Sequence, residues 1–180
     1  MEIDMPQTKI IGFSGNITRP STTRTFVDHI VGQLAIKTRA VAQSFDVDDL
    51  GPSLLKAKRL DDLNVQARGV VDQMLEADVL VVGSPTYKGS YTGLFKHFFD
   101  LLDPTSLRGK PIIIAATGGG ERHSLVVEHQ LRPLFGFFEA LAMPTAIYAT
   151  RKDFAHGEVI SEAIRMRVGR AVEEAADAIA

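Results

Sequence analysis

The sequence predicts a doubly wound α/β fold, a single domain of 180 residues built on a five-stranded parallel sheet, and three observations carry that prediction. Five short apolar runs alternate with five helical stretches, with no internal repeat and no linker between them. Two of the runs, Val79-Leu80-Val81-Val82 and Pro111-Ile112-Ile113-Ile114-Ala115-Ala116, are apolar almost throughout, as strands covered on both faces are. Loops rich in glycine and hydroxyls follow the first, third and fourth runs. In a parallel sheet these three loops open at one carboxyl edge, where such sheets hold ligands.

Met1 to Gln7 reads as a short acidic leader without structure, lacking the charged and apolar regions of a signal peptide. Lys9-Ile10-Ile11-Gly12-Phe13 is the first strand. The loop after it, Ser14 to Arg24, runs into a helix whose Phe26, Val27, Ile30, Val31 and Leu34 share one face, with Ser21 or Thr22 as N-cap. Hydroxyls, glycine and arginine before a helix N-terminus make a phosphate site in physical terms, because the orphan N–H groups and the dipole face the anion. The same hydroxyls also serve simply to cap the helix. Neither G-x-G-x-x-G nor G-K-[ST] is present, so a terminal monophosphate fits better than a pyrophosphate or a triphosphate.

Thr38 to Phe45 contains the second strand, closed by Asp46-Val47-Asp48-Asp49, which reads as a solvated turn. Gly51 to Leu60 reads as a polar surface connection, and Asn64 caps a second helix carrying Val70, Val71, Met74 and Leu75. The third strand leads into Gly83-Ser84-Pro85-Thr86-Tyr87-Lys88-Gly89-Ser90-Tyr91-Thr92-Gly93. Pro85 stiffens this loop, Gly89 and Gly93 admit close backbone approach, and Tyr87 can lie beside a ring. A flat polar ligand suits it; an ordinary strand-to-helix turn is the plainer alternative. Leu94 to Phe99 is the third helix, and Asp100 and Asp103 mark its end before Pro104. The fourth strand runs into Thr117-Gly118-Gly119-Gly120, where bare backbone would face a flat ligand, or simply turn.

The fourth helix is expected from Leu125 to Leu141. Pro133 sits inside it and offers no N–H to the carbonyl of His129, so the helix must kink or loosen there, for instance as a π-bulge. Its large apolar residues exceed what one core stripe needs, which predicts a second packed face against another subunit. Thr145 to Tyr148 is the fifth strand, and Ser161 opens the last helix with Ile164, Val168, Val172, Ala175 and Ile179 in phase. This β-α order is flavodoxin-like.

Charge and composition narrow the function. A net charge of −2 argues against a nucleic-acid binder, and no apolar run is long enough to span a membrane. With no cysteine there is no thiolate chemistry and no disulfide, which fits the cytoplasm. His29, His97 and His156 have no partners at metal-ligand spacing, so no metal is expected.

Taken together, Ser84 to Gly93, Ala115-Ala116-Thr117-Gly118-Gly119-Gly120-Glu121-Arg122-His123 and Glu128-His129-Gln130-Leu131-Arg132-Pro133-Leu134 resemble the NAD(P)H-dependent FMN reductases of the flavodoxin-like superfamily. The similarity is greatest to the reductase partners of two-component alkanesulfonate and methanesulfonate monooxygenases, and it spans nearly the whole chain. Gly120 departs from the pattern, since relatives often carry another small or polar residue there. The resemblance implies that Ser14, Arg19, Ser21, Thr22 and Thr23 hold the FMN phosphate. It places Pro85, Thr86, Tyr87, Lys88, Gly89 and Ser90 beside the ribityl chain and isoalloxazine, and Thr117, Gly118, Gly119 and Gly120 at the pyrimidine end. It implies a homotetramer, with His129 and Pro133 in a π-helical turn at the interface. The activity implied is hydride transfer from NADH or NADPH to FMN, with NADH favoured, and delivery of reduced flavin to a monooxygenase. No catalytic side chain is expected, because the cofactor carries the chemistry. Tyr87, Lys88 and His123 can border the nicotinamide side, with packing or plain surface roles as equal alternatives, and Lys88 or Arg122 is the candidate for reading a 2′-phosphate. A quinone or azo reductase that retains its FMN, and a flavodoxin-type electron carrier, share the same loops.

Overall fold

The computed structural model describes residues 7–180, so the expected leader falls outside it but for Gln7. The sheet is all parallel, with β1 (Lys9–Ser14), β2 (Val41–Asp46), β3 (Val79–Pro85), β4 (Pro111–Gly118) and, along β4, a fifth line that begins with β5 (Leu141–Ala142), in the order β2-β1-β3-β4-β5. Side chains alternate across it as the pleat requires. Ile11, Phe13, Leu80, Val82, Ile112 and Ile114 face one helical layer, formed by α2 (Val65–Glu76), α3 (Gly93–Asp100) and α4 (Arg132–Phe137). Ile10, Val79, Val81, Ile113 and Ala115 face the other, formed by α1 (Thr22–Thr38) and α5 (Glu162–Asp177). A glycine at position 12 lets α1 settle onto the sheet: a Cβ there would lie 2.8 Å from both Val27 and Val31. Ser21, Asn64, Thr92 and Ser161 cap α1, α2, α3 and α5 through their side-chain oxygens.

Four sequence expectations are corrected. Asp46 to Asp49 is no solvated turn: the Asp46 side chain is wholly buried and caps a short 3₁₀ turn at Val47–Leu50. Gly51 to Leu60 is no plain surface loop, because Leu54 and Ala57 drop into the core and His97 Nε2 lies 2.9 Å from the Leu54 carbonyl. The fourth helix stops at Phe137, after a π-helical turn at Val127–Leu131 that spans His129 and precedes Pro133. Pro133 follows directly on that turn, whose widened bonding ends with the Arg132 N–H donating to the Val127 carbonyl.

The fifth strand, lastly, comes in two pieces. β5 (Leu141–Ala142) pairs with Pro111 and Ile112, while β6 (Ile147–Thr150) pairs with Ala115 to Gly118. Four residues, 143–146, oppose only Ile113 and Ile114, so the edge bulges outward. Side chains secure the bulge. Arg132 donates to the carbonyls of Met143 and Pro144 at 3.0 and 3.1 Å, Arg167 donates to that of Ala146 at 2.6 Å, and Glu174 accepts from the Thr145 N–H at 2.8 Å. A hairpin of β7 (Phe154–Ala155) and β8 (Glu158–Val159) leads to α5.

Candidate active site

The loops after β1, β3 and β4 meet at the carboxyl edge of the sheet and are bolted to one another. Gly15 donates its N–H to the Gly83 carbonyl at 2.7 Å, and Thr92 Oγ1 donates to the Gly15 carbonyl at 2.7 Å. The Thr86 N–H donates to the Thr117 carbonyl at 2.7 Å, and the hydroxyls of Thr23 and Thr117 share a 2.7 Å hydrogen bond. The start of α1 is thereby fixed to the end of β4. Between the loops lies a cleft of about 340 Å³, within the usual range for small-ligand sites.

Of the residues singled out from the sequence, Ser21, Thr22, Thr23, Pro85, Thr86, Tyr87, Thr117, Gly118 and Gly119 line this cleft. The rest lie elsewhere. Ser14 ends β1, fully buried between its neighbours Asp46 and Gly83, and its hydroxyl is not part of the lining. Lys88 and Gly89 form the exposed tip of a turn with φ of 53° and 87°, closed by reciprocal hydrogen bonds between Tyr87 and Ser90. Two positive φ values identify a type I′ turn. Gly120 stands just behind the lining and accepts 2.7 Å from the Tyr148 hydroxyl. Asp100 and Asp103 are structural: the first pairs with Lys96 and the second accepts from Thr105.

Arg19 is paired with carboxylates and does not line the cleft. Its guanidinium donates to Asp46 at 2.9 and 2.6 Å and pairs with Asp49 at 2.9 Å, because the second strand ends in carboxylates beside it. Arg24 pairs with Asp28 at 2.9 Å and Asp46 at 3.3 Å. Burial alone would raise the Asp46 carboxyl, but hydrogen bonds from Arg19 and Asn16, with the charges of Arg19 and Arg24, hold it below the ordinary aspartate range. Those same bonds to Asp46 and Asp49 push the Arg19 guanidinium further up.

Four contributors escape a reading of the sequence. Asn16 and Thr18 line the cleft on the first loop, and Arg151 reaches it from the end of β6. Arg151 sits in a short turn built by Asp153, which accepts from the N–H and hydroxyl of Thr150 at 2.7 and 2.8 Å. Tyr148 explains Gly118: a Cβ there would lie 2.0 Å from the phenolic oxygen. The π-helical turn also touches the site, since Ser90 Oγ donates to Gln130 Oε1 at 3.0 Å.

The residues fit a phosphorylated flavin. The N–H groups of Thr22 and Thr23, in the first turn of α1, have no acceptor within the helix, and both residues line the cleft with Ser21 and Arg151. Asn16 Oδ1 is buried without a hydrogen-bond partner, whereas the Thr86 hydroxyl lies beside the oxygen of the Tyr148 phenol, whose proton goes to Gly120. A buried acceptor of this kind on a ligand cleft is suited to a group that brings a donor. Among the described residues no group of acidic, histidine or cysteine side chains is placed to hold a metal ion, and no helix is long and apolar enough to cross a membrane.

Comparison with known proteins points the same way. Residues 8–155 match the family model of NADPH-dependent FMN reductases. An FMN reductase (NADPH) of Pseudomonas aeruginosa is 38% identical over 168 residues, 93% of this chain and 90% of that protein. The NADH-dependent FMN reductase SfnF of Pseudomonas fluorescens is 39% identical over the same shares. Among solved structures, an oxidoreductase from Corynebacterium diphtheriae superposes with a TM-score of 0.86 at 35% identity, covering 96% of this chain and 97% of that one. The fold is of the flavodoxin-like class, and the relatives make the chain a flavin-dependent oxidoreductase. More narrowly, the chain belongs to the NADPH-dependent FMN reductase family, as an enzyme that uses FMN and NAD(P)H.

Proposed function

We propose that this enzyme treats FMN as an exchangeable substrate, reduces it with NADH in preference to NADPH, and releases it to a two-component sulfonate monooxygenase in the cytoplasm. The observation that carries the exchange is the disposition of the arginines. Arg19 and Arg24 are tied to Asp46, Asp49 and Asp28, which leaves Arg151 as the guanidinium on the cleft. Hydroxyls, helix N–H groups and one exposed arginine hold a phosphate less firmly than a set of desolvated guanidiniums would. The sulfonate link and the choice of NADH rest on the sequence resemblance and on the name of the SfnF relative.

In this reading Ser21, Thr22, Thr23 and Arg151 hold the phosphate. Asn16 and Thr18 flank the ribityl chain. Pro85, Thr86 and Tyr87 lie on one side of the ring system and Thr117 to Gly119 on the other. FMN, when bound, supplies the hydride acceptor, and the nicotinamide supplies the hydride. The protein positions the two rings, and Tyr87, 46% exposed, borders the open side where a nicotinamide would enter. The turn at Lys88 and Gly89 keeps that border in place.

A tetramer completes the proposal. Leu125, just before the π turn, and Phe137, at the end of helix four, are 58% and 68% exposed, and His129 between them in the chain is exposed too. They supply the apolar contact such an interface needs. His129→Ala should therefore shift the oligomeric state and change turnover with free FMN; an unchanged assembly with unchanged kinetics refutes the interface.

The experiment for the activity is NADH and NADPH oxidation by the purified protein, with and without added FMN. Oxidation that rises and saturates with FMN, faster with NADH, is the expected result. Flavin that copurifies and turns over only with a quinone or dye would refute the exchange, and preference for NADPH would refute the nucleotide choice.

A further inference from the structure

We propose that Asn16 is a specificity residue for the polyol of the flavin. Its carboxamide oxygen accepts a hydrogen bond from one ribityl hydroxyl, and Asp46 sets its orientation. The inference rests on the flavin reading of the cleft and deepens it.

Asn16 is only 2% exposed, yet it lines the cleft. Both hydrogens of its amide are committed within the protein. Nδ2 donates to the Thr18 carbonyl at 3.2 Å and to Asp46 Oδ2 at 3.1 Å. Turning the amide over would set its oxygen against a carbonyl and a carboxylate, two acceptors with no proton between them. The orientation is therefore determined, and Oδ1 is left as a pure acceptor, buried and without a partner. An acceptor of this kind selects a ligand that brings a donor.

The chemistry of the ligand then decides which part it meets. A phosphate dianion brings acceptors and would be repelled. The ring system brings an N–H at its pyrimidine end, which the reading above assigns to the loop at Thr117 to Gly119. Asn16 lies on the other loop, five residues before Ser21 at the anion end, so the donors within its share of the cleft are the ribityl hydroxyls. Asp46 acts here as a positioning residue. Its buried carboxylate holds Asn16 and Arg19 together, which fixes the amide and keeps the guanidinium off the phosphate.

The test is flavin affinity, read by quenching of flavin fluorescence without reductant. Wild type and Asn16→Ala are titrated with FMN and with the three FMN analogues that lack the 2′-, 3′- or 4′-hydroxyl. Asn16→Ala should weaken FMN about tenfold, as loss of one buried hydrogen bond does. Wild type should discriminate against one deoxy analogue by a similar factor, and against that analogue the substitution should cost less than twofold. Equal weakening of FMN and all analogues would make Asn16 merely structural and overturn the proposal, as would no weakening at all. If Asn16→Ala does not fold, the wild-type titrations still decide: equal affinity for FMN and all three analogues overturns it while leaving the flavin site intact. A wild-type protein that binds no flavin overturns both readings.

Discussion

Gly118 offers the sharpest test of how the cleft is built. A methyl group added there would sit 2.0 Å from the Tyr148 hydroxyl and 3.0 Å from the ring carbon that bears it. The tyrosine is also engaged, donating to the Gly120 carbonyl at 2.7 Å. Gly118→Ala must therefore displace the phenol and break that bond. Overpacking costs about 1–3 kcal/mol and a net hydrogen bond about 1 kcal/mol, so a loss of about 2–4 kcal/mol is expected. No left-handed strain adds to this, because Gly118 is not among the residues with positive φ. Tyr148→Phe alone should cost about 1 kcal/mol, the hydrogen bond only. In the double variant the oxygen is gone and the remaining contact is the 3.0 Å approach to the ring, which a small tilt relieves. The two substitutions should thus couple favourably by about 1–2 kcal/mol in urea unfolding at constant m. Additivity within about 0.5 kcal/mol would show that the glycine answers to something other than the tyrosine.

Three more expectations concern the elements around the cleft. Asp46→Asn removes the charge that two arginines share, and because Arg19 is 47% exposed the loss should be about 2–3 kcal/mol, below that of a fully buried pair. Since the Asp46 and Asp153 carboxyls are held below their ordinary value of 3.8, their stabilisation is complete above that pH and fades as pH falls through their folded values; acid unfolding curves should show it, and Asp46→Asn should flatten them. Ser90→Ala and Gln130→Ala each break one 3.0 Å bond between the cleft rim and the π turn, so FMN KM should change alike in either single variant and no further in the double. Additive changes in KM would refute a shared link.

The strand order and the ligand edge were legible because they rest on local patterns. Ile10 to Phe13, Val79 to Val82 and Ile112 to Ala116 are buried runs whose length and β-branching define strands without tertiary help. Pro133 announced the π turn, since a missing N–H inside an apolar helical pattern leaves few solutions. The errors share one cause, contact between residues far apart in the chain. Arg19 gives no sign in its own segment of the pairing with Asp46, 27 residues on, that β2 brings about. Arg151 and Tyr148 carry no motif and join the cleft only because β6 pairs alongside β4. Leu141 has an apolar side chain in helical phase, yet its N–H is taken by the Lys110 carbonyl at 2.9 Å, and sheet pairing overrides the pattern.

The bulged fifth strand bears on how this chain avoids its own kind. An edge strand with free N–H and C=O groups invites a second chain to extend the sheet. Here the carbonyls of Met143, Pro144 and Ala146 and the N–H of Thr145 are already claimed by Arg132, Arg167 and Glu174, and Pro144 has no proton to give. An incoming strand would find two residues at one end, four at the other and a sealed gap between them. The charged side chains of α4 and α5 thus act as guards against edge-to-edge polymerisation. The opposite edge of the sheet, β2, lies beyond the reach of these guards.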